Sequence, residues 1–161
     1  MDGRLVVLQL FLNELGIDSD ITSLAQRKTI QKSIYLAQRA GVDLGYRFGW
    51  YRLGPYSTSL TRDYYQLSDE ESPSSGSIDG RVLKDSVQAR LEKVKPLFDV
   101  PNNVSAKKAE WLELLASYDY LLKVQKLDDE QATKKLHEEK PLLVEHLEAA
   151  RAAIDGCNEL N

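Results

Sequence analysis

Residues 45–57, Gly-Tyr-Arg-Phe-Gly-Trp-Tyr-Arg-Leu-Gly-Pro-Tyr-Ser, constrain this chain more than any other stretch. Aromatic side chains favour extended backbone, and Gly45, Gly49 and Gly54 punctuate the run at short intervals. A helix of ordinary length does not tolerate that spacing. The stretch therefore predicts a short hairpin, or one strand with a sharp exit. Alternation places Tyr46, Phe48 and Trp50 on one face and Arg47, Gly49 and Tyr51 on the other. The first set is expected in the core. Arg47, Tyr51, Arg52 and Tyr56 are expected at the surface. Gly54-Pro55-Tyr56-Ser57 reads as a turn followed by a helix start, with Ser57 as the cap.

Helical patterns flank this insertion. Residues 4–15 form an apolar helix that stops at Gly16. The run Leu5 to Leu12 is too short to span a bilayer, and no small-residue cleavage site follows it. Asp18, Ser19 and Asp20 offer caps for a second helix over 22–40, ended by Gly41. Ile30, Ile34 and Ala37, with Leu24 nearby, predict its buried face. Leu60, Tyr64 and Leu67 then repeat at helical spacing. Further helices are expected over 82–98, 105–125, 128–139 and 141–157. Trp111, Leu115, Tyr118 and Leu122 form one apolar stripe, and Trp50 and Trp111 are the expected core anchors. Residues 68–80 hold five serines, two glycines and a proline, the composition of a flexible loop.

The fold class that follows is mainly α with a small β hairpin. A winged-helix-like lobe over 1–67 packs on a helical part over 81–161 across the loop 68–80, and the two share one core. Helices followed by a short β element resemble a winged helix–turn–helix, in which the second helix would be the reader. Gln26, Gln31 and Gln38 would then meet adenine edges.

Charge divides unevenly along the chain. The whole carries −4, yet residues 21–62 hold seven basic groups and one acid, Asp43. Such a block attracts phosphate or an acidic protein. Lys28, Lys32, Tyr35 and Arg39 follow one another at four, three and four residues, so they stack along one side of the second helix. That side is expected to be an exposed, basic and partly aromatic stripe. Eight of the 13 aromatic residues lie within 35–65, and Tyr with Arg is the composition of binding hot spots.

The inventory for catalysis is thin. One cysteine, Cys157, leaves no intramolecular disulfide. His137 and His146 both lie in the charged last third, without a nucleophile elbow, a P-loop, a zinc-binding His-Glu pair or a dinucleotide glycine fingerprint. The expectation is no enzyme, no metal and no cofactor, in a cytoplasmic chain without a membrane part.

Gln31-Lys32-Ser33-Ile34-Tyr35-Leu36, Gly41 to Tyr51, and Gly54-Pro55-Tyr56-Ser57 with Leu60 together resemble the YwgA-like group of small prokaryotic proteins. A fainter likeness is to Panacea (SocA-like) antitoxin domains, which share the Gln-Lys…Tyr-Leu helix and the Gly-Pro turn. The likeness covers residues 31–60, and the Panacea part does not extend past residue 67. The resemblance implies an antitoxin or adaptor that acts by protein contact in antiphage defence or a toxin–antitoxin system. Its partner would be a toxin, a nuclease or a defence ATPase complex. The alternative is a winged-helix DNA-binding regulator, and the exposed aromatics also suit a homo-oligomer.

Overall fold

The computed structural model describes residues 2–70, 78 and 80–161. Most of the expected 68–80 loop lies outside the described residues. The protein is mainly helical with one two-stranded antiparallel hairpin. In chain order it contains α1 (Gly3–Leu15), α2 (Leu24–Arg39), β1 (Gly49–Tyr51), β2 (Gly54–Tyr56), α3 (Thr58–Ser68), α4 (Asp85–Val94), α5 (Lys108–Asp119), α6 (Asp129–Glu139) and α7 (Leu147–Asp155). Single 3-10 turns follow α4 and α7 and precede α7, and a π-helical turn, Tyr120–Val124, continues α5.

Local chemistry accounts for the boundaries. Gly16 ends α1 at φ +70°, a conformation that favours glycine. Ser23, rather than the earlier Asp18, Ser19 or Asp20, caps α2: its hydroxyl accepts from the Gln26 amide while the Gln26 side chain accepts from the Ser23 amide. Asp128 and Gln131 repeat the same reciprocal box at α6. Ser57 caps α3 by accepting from the Leu60 amide. The hairpin pairs Gly49 with Tyr56, Trp50 with Pro55 and Tyr51 with Gly54, leaving Arg52 and Leu53 as its tip.

One apolar cluster runs from Leu5 in α1 to Leu160 near the C-terminus. Trp111 is its largest buried side chain, and its indole donates to the Leu97 carbonyl at 3.1 Å. Helices α2 and α5 lie side by side at the centre. Each is buried over a continuous stretch, Ile30 to Ala37 and Trp111 to Leu121, so neither presents the single apolar stripe the spacing predicts. Leu24, expected near the buried face of α2, is exposed. Strand β2 packs on both central helices. Among the described residues no helix is long and apolar enough to cross a membrane.

Candidate interaction surface

The stripe Lys28, Lys32, Tyr35 and Arg39 lies on one side of α2, but that side faces α5 and the hairpin instead of solvent. Lys28 Nζ donates to Glu113 Oε1 at 2.8 Å. Lys32 is 1% exposed, and its Nζ donates to the Pro55 carbonyl at 2.6 Å. The Tyr35 hydroxyl donates to Asp119 Oδ2 at 2.7 Å. Arg39 reaches both oxygens of the same carboxylate through Nε and Nη2, and Nη2 also donates to the Leu160 carbonyl. The expected exposed stripe is therefore an interior seam. Helix α5 supplies the two carboxylates that make it affordable to bury, and they lie 80 to 85 positions further along the chain from the groups they meet.

The glutamines expected to read bases are committed as well. Gln31 donates to the Ser57 carbonyl and accepts from the Ser57 amide. Gln38 binds the backbone of Leu44 and Tyr46. Gln26 completes the α2 cap. All three glutamines of α2 named as base readers are thus engaged within the chain.

The seam holds the hairpin from below. Lys140 Nζ donates to the Arg52 carbonyl at 2.7 Å and to Glu113 Oε2 at 3.0 Å. Glu113 therefore bridges Lys28 and Lys140, while Lys32 and Lys140 grip the carbonyls on either side of the Leu53-Gly54 step. Burial brings the Lys32 amine down to about 7; nearby Glu113 opposes that change, and Lys140 and Lys28 add to it. Gly54 has φ +91°, and a Cβ there would collide with Ser117 Oγ. The close approach of β2 to α5 thus requires glycine on two counts. Burial drives the Tyr35 phenol upward, and Asp119 adds to it.

The alternation predicted for 46–51 holds in the main. Tyr46, Phe48 and Trp50 pack against the core, with Phe48 edge-on to Tyr35 at 5.4 Å between centroids. Trp50 is only half-buried, however, so it is not the deep anchor expected. Its indole donates to Glu139 Oε1 at 3.2 Å, and the ammonium groups of Lys135 and Lys140 lie 5.2 and 5.4 Å from its ring centre. Arg47, Tyr51 and Arg52 are exposed as expected, and Tyr56 is half-buried. Tyr51 and Tyr56 meet edge to face at 5.3 Å.

Two recesses flank the hairpin tip. One, of about 150 Å³, opens between α2, α3 and the hairpin and includes Leu24, Lys32, Leu53, Tyr56, Tyr64 and Tyr65 in its lining. The other, of about 400 Å³, is shallower and lies between the tip and the segment after α6, where Arg52, Leu53, Glu113, Lys140 and Leu142 contribute. Leu53 and Lys28 border both. Leu24, Tyr51 and Tyr65 are each about half exposed, and Leu142 is 90% exposed. Leu24, Leu53, Tyr65, Lys140 and Leu142 are additions to the residues chosen from sequence. Tyr65 could have been read from the helical spacing of Leu60, Tyr64 and Leu67, which turns it outward. Leu142 carries no local signal beyond the preceding proline.

Among the described residues no group of three or more His, Cys, Asp or Glu side chains could hold a metal ion. His137 is exposed and His146 half-buried. The Cys157 thiol is raised from its ordinary value by burial, the opposite of an activated nucleophile. No family model, curated protein or solved structure matches the chain.

Proposed function

We propose that this chain is a non-catalytic interaction subunit that binds a protein partner through the hairpin tip and the recesses beside it. The observation that carries the reading is the contrast between the two sides of the hairpin. Its inner side is gripped by Lys32 and Lys140, at a cost in desolvation, while its outer side presents Tyr51, Arg52 and Leu53 beside exposed Leu24, Tyr65 and Leu142. A rigid scaffold that displays aromatic, arginine and leucine side chains is the form binding hot spots take. Holding them in place lowers the entropy lost on association.

The resemblance to YwgA-like and Panacea domains supports an adaptor or antitoxin role in prokaryotic antiphage defence or a toxin–antitoxin system. The partner class would be a toxin, a nuclease or a defence ATPase complex. The test is affinity capture from the native host with the intact chain, washed at low and at high salt, beside Tyr51→Ala and Arg52→Glu. The reading expects one protein at stoichiometric ratio that survives high salt and is lost from both variants. Nucleic acid retained at low salt and released at high salt, with no protein partner, would replace it with the DNA-binding reading. Arg47 and Arg52 would then be the phosphate contacts.

A further inference from the structure

The recess between α2, α3 and the hairpin has a composition that names its occupant. Three tyrosines, Tyr56, Tyr64 and Tyr65, and two leucines, Leu24 and Leu53, supply apolar and aromatic wall. Arg27, Lys28 and Lys32 are the charged residues of the lining, and no carboxylate is among them. Lys28 shares the single carboxylate of Glu113 with Lys140. Among the described residues no carboxylate lies within ion-pair distance of Arg27 or Lys32; Arg27 donates to the Ile21 carbonyl and Lys32 to the Pro55 carbonyl. With the buried Lys32 amine brought down to about 7, Arg27 is the cation that leaves this recess with positive charge beyond its internal compensation. A volume of about 150 Å³ is the size that takes one benzene-sized ring. The exposed Leu24 and Tyr65 stand at its mouth.

The geometry points to this recess as the seat of one aromatic side chain of the protein partner, next to an Asp or Glu of the same segment. This deepens the interaction reading and rests on it. The ring would enter among Tyr56, Tyr64 and Tyr65, and the carboxylate would meet Arg27 at the edge. A phosphate backbone suits the recess less well. In the neighbouring recess Glu110, Glu113 and Glu139 balance Lys28, Arg52 and Lys140, so the positive charge does not continue past Leu53 as a track for phosphates.

The probe is a displayed library of random linear nonapeptides, selected on the intact chain at low salt. The proposal expects enrichment of an aromatic residue flanked by Asp or Glu. A selected peptide, made synthetically and followed by fluorescence anisotropy, should bind at least about 10-fold more weakly to Tyr65→Ala, as loss of an anchor contact does. Leu24→Ala should weaken it as well. Arg27→Gln should weaken it and flatten its salt dependence, whereas Val124→Ala, on the π-helical turn, should leave it unchanged. Leu24, Tyr65 and Val124 are exposed, so these changes test the surface without unfolding the protein. Enrichment of peptides lacking the acid–aromatic pair overturns the proposal, as does affinity indifferent to Tyr65→Ala and Leu24→Ala. Displacement of the peptide by an unstructured oligothymidylate, stronger than by an acidic peptide without aromatics, overturns it in favour of nucleic acid. If the captured host partner binds Tyr65→Ala and Leu24→Ala as tightly as wild type but loses Tyr51→Ala, this recess is excluded while the interaction reading stands. Failure of host capture together with an unselective library removes both.

Discussion

Helix α2 has two sides built from opposite chemistry, one fully buried and the other buried at its centre and partly exposed at Lys28 and Arg39. On one side Ile30, Ile34 and Ala37 join the apolar cluster that contains Leu12, Leu115 and Trp111. On the other, Lys28, Gln31, Lys32, Tyr35 and Arg39 engage Glu113, Asp119 and the backbone of Pro55 and Ser57. An apolar interior is non-directional, so side chains of similar volume can be exchanged at modest cost. A polar interior is directional, and removing one partner strands the other without water. The difference explains why the hairpin is positioned sharply. Apolar contact alone would let a strand pair of three residues each slide, whereas two lysine-to-carbonyl bonds define where it sits.

The largest expected effect breaks the polar side at its hub. Glu113→Ala leaves Lys28 and Lys140 without their carboxylate and should cost about 3–5 kcal/mol in urea unfolding. Replacing Lys28, Glu113 and Lys140 together by methionine should recover most of that loss. A triple variant no more stable than the single one would show that the seam contributes through more than its charges, and the comparison would fail. In the triple variant the Arg52 carbonyl has lost its Lys140 donor whatever the stability, so the hairpin tip should loosen.

Next comes the close approach. Gly54→Ala should cost about 2–3 kcal/mol, from the positive φ and from the collision with Ser117 Oγ. Adding Ser117→Ala should return the collision part and leave the backbone part, a non-additive cycle measurable by thermal unfolding. Ser117 Oγ has no hydrogen-bond partner among the described residues, so Ser117→Ala alone should be close to neutral.

The buried amine sharpens the comparison through pH. The unfolded chain keeps the Lys32 proton up to the ordinary lysine value of 10.5, while the folded amine releases it above about 7. Between those values the unfolded state binds more protons, so stability rises with pH across the window and is flat below it for this group. From pH 7 to pH 9 the gain should be on the order of 2 kcal/mol relative to Lys32→Met, which lacks the titration. Equal pH dependence in the two proteins would mean that Lys32 stays charged in the folded state.

The smallest effect is expected at the rim. Arg151 pairs with Asp129 at 2.8 Å, and the Tyr118 hydroxyl donates to the same carboxylate. The Asp129 side chain is 56% exposed, so Arg151→Ala should change stability by less than about 1 kcal/mol. Burial, with Asp129 accepting from the hydroxyl, pushes the Tyr118 phenol up to about 12. A loss comparable to that of Glu113→Ala would erase the distinction between interior and surface pairs.

Much of the architecture was legible in the sequence because its signals are local. Glycine spacing and aromatic alternation announced the hairpin; Arg47 and Tyr51 face outward as the period of two requires, and Arg52 is exposed because it lies at the tip. Gly16, Gly41 and Ser57 mark element ends through turn and cap chemistry that needs no distant partner. Trp111 is core because it lies on the helical stripe it shares with Leu115 and Tyr118. The exposed half of the candidate site was therefore readable, and its buried half was not. Lys32 and Arg39 have the spacing of a solvent face, and a basic side chain on a helix is ordinarily exposed. Trp50 is large and apolar, yet Lys135 and Glu139 of α6 and Lys140 just after it come to its ring and keep it near the surface.

By itself the sequence determined most of the local elements: the helical segments, the β insertion between the second and third of them, and several stops; the turn it placed at Gly54 to Ser57 is instead strand β2 running into the α3 cap, with Arg52 and Leu53 as the tip. Each element so determined depends on the conformational preferences of adjacent residues and on a hydrophobic period, both of which are written in consecutive positions. Only the tertiary structure decided which charges are inside. The pairs Lys28–Glu113, Arg39–Asp119 and Lys140–Glu113, and the bonds from Lys32 and Lys140 to hairpin carbonyls, form when α2 is laid against α5 and the end of α6 reaches the hairpin. A buried charge is stable only beside a specific partner, and which partner arrives is a property of packing in three dimensions.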